Sequence, residues 1–190
     1  MKYLNKDVRA FTTIGSGLLP ALTNQIKVSE AFTPTQTSEL LKKKSDYIAI
    51  WDTGATNTVI TKKVASDLGL KPSGIAEVTG VHGRCQVHTY LINVYLPNGV
   101  AFSAVKVSEG EFVGGDVLIG MDIIRSGDFA ITNFDKKTVF TFRVPSLEQM
   151  DFVKEINQSN SKYKKVTMSP EDLRRNRNKA KQGRRGKKGR

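Results

Sequence analysis

The sequence predicts an all-β domain with one short helix in its core, followed by a C-terminal extension that is helical or disordered. Three observations carry this expectation. Short segments in which apolar and polar residues alternate recur through residues 24–144, and a period of two is the signature of a half-buried strand. Asn98-Gly99 stands between the apolar segments 91–96 and 100–105, a tight-turn signal. Residues 129–134 and 138–142 concentrate aromatic and β-branched side chains on either side of Asp135-Lys136-Lys137, as a hairpin packed into a sheet face requires.

Taken in order, residues 1–23 contain Gly15-Ser16-Gly17 and read as a flexible or loosely attached arm. Ile26 and Val28 alternate with Gln25, Lys27 and Ser29, giving a strand that reaches about Phe32; residues 33–37 form a loop. A central strand begins near Asp46 or Tyr47 and runs through Trp51. Thr61 is placed as the N-cap of a short helix carrying Val64 and Leu68, which Gly69 ends in the left-handed region. Residues 76–95 read as a hairpin interrupted by Gly80-Val81-His82-Gly83. After Gly120, residues 121–126 make one or two helical turns, with Gly127 as terminator.

Beyond Pro145, the residues Leu147, Met150, Val153 and Ile156 recur at threes, and Ser146 with Gln149 fits a capping box. The expectation is an amphipathic helix over 147–157 and a linker over 157–165. Ser169-Pro170-Glu171-Asp172 then supplies cap, helix-start proline and acidic third residue for a basic helix. The predicted organisation is an arm at 1–23, the β domain at 24–144, a helix and linker at 145–165, and a basic tail at 166–190.

A chain of 190 residues holds one domain with a real core plus extensions. Its net charge of +12 is unevenly placed: residues 151–190 hold 14 Lys/Arg against 4 Asp/Glu, so attraction to polyanions belongs to the tail. Arg174, Arg175, Arg177, Lys179, Lys181, Arg184, Arg185, Lys187, Lys188 and Arg190 are its candidate phosphate contacts, able to neutralise nucleic acid without reading bases. No apolar run approaches the ~18 residues of a membrane span, the first residues lack a secretory h-region, and the single Cys85 excludes an intrachain disulfide framework. A cytoplasmic location without membrane association is the expectation.

The stretch Ile48-Ala49-Ile50-Trp51-Asp52-Thr53-Gly54-Ala55-Thr56 delivers an acidic residue, a hydroxyl and a glycine from an apolar strand into a second one, Val59-Ile60. Asp-Thr-Gly alone describes an ordinary turn, but a carboxylate emerging between apolar strands has to be used or satisfied. With the second anchor Asp116-Val117-Leu118-Ile119-Gly120-Met121-Asp122, the sequence resembles the aspartic peptidases of the retropepsin-like branch over roughly residues 24–144. The resemblance implies a retropepsin-like acid-protease fold in which the two anchors cross near the site. Asp52 is then the catalytic acid, Thr53, Gly54, Ala55 and Gly120 support its loop, and Gly80, Val81, His82 and Gly83 form a flap over a peptide.

Two carboxyls sharing one proton divide the work of hydrolysis, one accepting a proton from water and the other donating to the carbonyl oxygen. Asp-Thr-Gly occurs once in the chain, so the second carboxylate has to come from a second copy, and a homodimer is implied. No metal or organic cofactor is needed. The spacing His82-x2-Cys85-x2-His88 raises a zinc site, but strand alternation sends Cys85 to the face opposite the histidines and no fourth ligand is evident. The expected function is an aspartic endopeptidase. The alternatives are a peptide-binding or assembly module of the same fold without turnover, and a nucleic-acid-associated protein acting through its tail.

Overall fold

Alternating burial along the strands divides each one into a core face and an outer face, and those faces build the fold. The computed structural model describes all residues except 5–6, 32–43, 81–82, 168, 173, 176 and 178–190. It separates into two units, Met1–Leu147 and Glu148–Arg190.

The first unit contains β1 (Lys2–Tyr3), β2 (Arg9–Ile14), β3 (Thr23–Glu30), β4 (Ser45–Trp51), β5 (Val59–Ile60), α1 (Lys62–Leu68), β6 (Gly74–Gly80), β7 (Gly83–Tyr95), β8 (Ala101–Glu109), β9 (Val117–Ile119), α2 (Met121–Ile124), β10 (Asp128–Thr132) and β11 (Val139–Val144). Eight strands form one sheet in the order β1-β8-β5-β9-β4-β3-β7-β6, and a further pairing of β7 with β8 curls it back on itself. The other three form a sheet in the order β10-β11-β2. Ile26, Val28, Ala49, Ile92, Val94, Phe102, Val117 and Ile119 make the interior of the large sheet. Phe11, Phe140 and Phe142 bring the small sheet onto the same core.

The turn chemistry follows the sequence closely. Asn98 and Gly99 both take positive φ, 53° and 72°, as a tight turn between β7 and β8 demands. Gly69 ends α1 at φ 63°, with Leu70 N–H reaching Ala65 O at 2.9 Å. Thr61 is the N-cap residue, yet its hydroxyl is buried without a hydrogen-bond partner among the described residues, so the cap is one of backbone position alone. The strand expected to reach Phe32 is β3, which ends at Glu30.

Two expectations are corrected. Residues 1–23 are not a loosely attached arm: β1 pairs with β8, β2 pairs with β11 from Arg9↔Val144 to Ile14↔Val139, and Phe11 is buried. The helix expected at 147–157 is α3 (Phe152–Thr167), which takes in most of the expected linker. The reason lies in Ser146: its hydroxyl donates to Asp128 Oδ1, and Leu147 N–H donates to Asp128 Oδ2 at 2.9 Å, so this segment is held against the end of β10 instead of starting a helix. In the second unit Val153, Ile156 and Tyr163 are exposed on α3. Further on, Ser169 caps the next helical stretch as read, with Asp172 N–H donating to Ser169 Oγ at 3.2 Å, while the Asp172 carboxylate accepts the Ser169 hydroxyl at 2.8 Å.

Candidate active site: the acid loop and its crossing strand

β4 carries Tyr47, Ala49 and Trp51 into the core, and this alternation leaves Ile48, Ile50 and then Asp52 on the other face. Trp51 fixes the end of the strand. Its ring stacks on Phe129 at 5.1 Å between centroids and 10° between planes, it also meets Phe11, Phe140 and Phe142, and its Nε1–H donates to Asn24 Oδ1 at 2.7 Å. The chain therefore leaves the sheet at Asp52 from a fixed position.

β9 lies between β4 and β5, parallel to the first with Trp51↔Ile119 and antiparallel to the second with Ile60↔Val117. The two anchors thus cross as expected. Asp52 N–H donates to Ile119 O at 3.0 Å, Met121 N–H to Ala55 O at 2.8 Å, and Asp122 N–H to Thr56 O at 3.1 Å. Gly120 is buried where a Cβ would lie 2.5 Å from the Asn57 carbonyl carbon, so only glycine lets β9 turn into α2 under this loop.

The Asp52 side chain is half-buried, and its Oδ1 accepts Gly54 N–H at 2.8 Å. A Cβ on Gly54 would stand 3.1 Å from the same oxygen, so this glycine also keeps the carboxylate uncrowded. Thr53 is exposed, and its hydroxyl has no hydrogen-bond partner among the described residues. Ala55 is half-buried and contributes its carbonyl to the crossing.

Three supporting side chains were not singled out from sequence. Thr58 is buried; its hydroxyl accepts Gly120 N–H at 3.2 Å and donates to Asp122 Oδ1 at 2.8 Å. That carboxylate also accepts Ile123 N–H at 3.0 Å, so Asp122 ties α2 to the acid loop. Asp116 accepts Ile48 N–H at 3.1 Å and faces Lys63 Nζ at 3.5 Å. The available signal was an acid in the first turn of a helix whose cap residue, Gly120, has no side chain of its own.

The remaining candidates divide. β6 and β7 form the expected hairpin, closing with Gly80↔Gly83, and Gly83 has φ 105°. Val81 and His82 lie outside the described residues. Cys85 is exposed on this hairpin, and no group of three or more metal-ligating side chains occurs among the described residues. At the hairpin base, Tyr90 Oη donates to Glu109 Oε2 at 2.7 Å; burial, followed by that carboxylate, pushes the phenol up to about 12. Arg174, Arg175 and Arg177 lie on the helical stretch after Ser169, whereas Lys179, Lys181, Arg184, Arg185, Lys187, Lys188 and Arg190 lie outside the described residues. No helix among the described residues is long and apolar enough to cross a membrane.

An all-β domain whose two anchors cross beneath an exposed Asp-Thr-Gly loop has the architecture of an acid protease. Residues 42–126 match the family model described as gag-polyprotein putative aspartyl protease. That segment contains both Asp52-Thr53-Gly54 and the second anchor at 116–122.

Among solved structures, it is similar to a retropepsin-like aspartic protease from Rickettsia conorii at 16% identity and TM-score 0.45, covering 76% of this chain and 98% of that one. It is similar to the EIAV protease bound to an inhibitor at 15% identity and TM-score 0.39, covering 56% and 88%. It is also similar to the retroviral protease-like domain of Ddi1 from Leishmania major at 19% identity and TM-score 0.36, covering 67% and 95%. No curated protein matches the chain in sequence.

Proposed function

We propose that the protein is an aspartic endopeptidase that works as a homodimer, with Asp52 of each copy contributing one carboxyl to a shared dyad. The observation that carries this reading is the Asp52 loop: a half-buried carboxylate held by Gly54 N–H at 2.8 Å, on a loop bound at both ends to the strand that passes beneath it. Two such carboxyls about 3 Å apart cannot both ionise, so the pair retains one proton over a wide pH range. The ionised member takes a proton from water, whose oxygen attacks the peptide carbonyl carbon. The protonated member donates to the carbonyl oxygen, and collapse of the tetrahedral intermediate sends a proton to the leaving nitrogen.

Thr53, with its exposed and unpartnered hydroxyl, is the group that would bond across the junction to hold the two loops in register. The β6–β7 hairpin is the flap. Its outer strand β6, which has no second strand neighbour among the described residues, would offer that edge to an extended peptide, and its motion would exclude water during hydrolysis.

The face of β4 that leads to Asp52 supports a preference for apolar residues beside the cleaved bond. Ile48 is 43% exposed, Ile50 is half-buried opposite Leu118 of β9, and Val113 stands 95% exposed in the loop before β9. Gly115 brings that loop against Ile50, where a Cβ would come within 2.8 Å of Ile50 Cγ1.

The test is cleavage of a diverse peptide pool by the wild type and by Asp52→Asn, with the assembly state of both measured by sedimentation. The expected result is a fall of roughly 10²–10⁴-fold or more in cleavage at an unchanged assembly state. A dimeric D52N protein that cut the same bonds at the wild-type rate would remove Asp52 from the mechanism. A wild type that binds peptides without cutting them would leave the binding-module reading in its place.

A further inference from the structure

The second unit begins with a helix that keeps apolar side chains in water. Asp151 caps α3: its Oδ1 accepts Lys154 N–H at 3.0 Å and its carbonyl oxygen accepts Glu155 N–H at 3.1 Å, so Phe152 and Val153 open the first turn. Phe152, Ile156, Ser159 and Tyr163 then follow at spacings of four, three and four, which an α-helix places along one face. On and beside this stripe, Phe152 is 67% exposed, Val153 72% and Ile156 59%. Lys154 and Lys162, also exposed, lie to other sides of the helix.

An apolar stripe in water is unfavourable until something covers it, and the charge around this one indicates what does. Residues 151–190 hold 14 Lys/Arg against 4 Asp/Glu, and Arg174, Arg175 and Arg177 are exposed on the helical stretch after Ser169. A second copy would set this excess of cations against its own. Nucleic acid would take up the cations but offers the stripe no apolar medium. A bilayer carrying anionic phospholipid meets both needs at once, with phosphates for Lys and Arg and the boundary of the acyl chains for Phe152, Val153 and Ile156.

The lack of a spanning helix among the described residues bears on crossing a bilayer, not on lying in its surface. A helix in the interface needs a polar, cationic side and an apolar one, with little hydrophobicity overall. α3 has that division, since Lys154, Glu155, Gln158 and Lys162 fall off the stripe. Tyr163 continues the stripe with a ring whose polar tip suits the level of the headgroups.

We infer that α3 and the basic tail form an interfacial anchor: the Phe152–Ile156 stripe lies among the headgroups of an anionic phospholipid surface, and the Lys and Arg around and after it pair with lipid phosphates. The two contributions act together, because a short stripe holds weakly alone and a basic tail alone is readily screened by salt. The anchor belongs to the second unit and stands whether or not the Asp52 loop cleaves peptides.

The test is co-sedimentation of the full chain with vesicles of phosphatidylcholine alone and of phosphatidylcholine and phosphatidylserine in equal parts. The expected result is binding at least about tenfold stronger to the mixed vesicles, weakening as salt is raised. Phe152→Ser combined with Ile156→Ser keeps every charge and should weaken that binding at least about tenfold. Arg174→Gln, Arg175→Gln and Arg177→Gln together keep the stripe and should weaken it to a similar extent, about tenfold. All five side chains are exposed, so the melting temperature of the β domain should be unchanged in both variants. In a Cys85→Ser background, an environment-sensitive fluorophore on Ile156→Cys should shift its emission to the blue on mixed vesicles. Equal binding to the two kinds of vesicle, binding that survives F152S/I156S, or a label at position 156 whose emission does not move would overturn the inference. So would a chain that binds an RNA oligonucleotide and neither vesicle, which would assign the cations to nucleic acid.

Discussion

The acid loop and the β6–β7 hairpin meet opposite demands, and the molecule meets them with opposite amounts of bonding. Around Asp52, backbone bonds from β9 and α2 fix the loop from below, Thr58 and Asp122 fasten the crossing, and four phenylalanine rings hold Trp51 behind it. The outer part of the hairpin has little besides its own ladder: residues 83–86 are exposed, and so is Ile75 at 64%. Under the proposed function the Asp52 carboxyl has to be held in one place before substrate arrives, whereas the hairpin, as a flap over the cleft, has to open. Changes at the loop should therefore appear as lost stability, and changes at the hairpin tip as altered turnover in a protein that still folds.

The largest stability effect is expected at Trp51. Trp51→Ala empties the centre of the aromatic cluster and should cost about 3–5 kcal/mol in denaturant unfolding. A loss under about 1 kcal/mol would mean that the ring cluster does not support the acid loop. Next comes Gly120→Ala, whose added Cβ meets the Asn57 backbone; an overpacking cost of about 1–3 kcal/mol is expected, read as a lower denaturant midpoint at unchanged slope. Thr58→Val keeps the shape but leaves Gly120 N–H and part of the Asp122 carboxylate without their partner, and should cost about 1–3 kcal/mol.

The hairpin side of the comparison predicts smaller changes in stability. Gly83→Ala places a side chain at φ 105°, a region that only glycine enters readily, so the tip should stiffen or rearrange. Its signature is a change in peptide cleavage larger than its change in melting temperature; equal effects on both would show that the tip is as structural as the loop.

The pH dependence sharpens the comparison further. The Tyr90 phenol at the hairpin base is raised by burial and by Glu109, so its folded value exceeds its unfolded one. The stabilisation from its neutral form is complete below about pH 10 and is lost as pH rises toward about 12. Tyr90→Phe should remove that alkaline decline. Asp128 behaves in the opposite sense: the Ser146 hydroxyl, then Leu147 N–H and Arg143, hold its carboxyl below the usual carboxylate range. Its contribution is present above the ordinary aspartate value and is lost as pH falls through the depressed one, so Asp128→Asn should flatten the acid limb of the stability profile.

Local chemistry was the legible part of this chain. Asp52-Thr53-Gly54 stood out because apolar strands flank it, Gly120 because it ends an apolar run before a helical turn, and Asn98-Gly99 and Gly69 because each backbone conformation there favours few residue types. What the sequence hid was pairing over long separations. Nothing local announces that Phe11 lies opposite Phe142, so residues 9–14 resembled a loose arm although they complete a sheet. Ser146 looked like a helix cap because Gln149 follows it at the right spacing, but Asp128, distant in sequence, offered its hydroxyl a carboxylate acceptor. The Thr58–Asp122 bond was missed for the same reason, since each residue reads as an ordinary surface polar group until β9 passes under the acid loop.

Central to the account is that one working site needs Asp52 from two copies, and mixing wild type with Asp52→Asn tests this most directly. The two forms are coexpressed at defined ratios, so that dimers assemble at random, and peptide cleavage is measured per total protein. A shared dyad predicts that the rate falls as the square of the wild-type fraction, because every mixed dimer lacks one carboxyl. A rate that falls in direct proportion to that fraction would show that each copy carries a complete site, and would contradict the account.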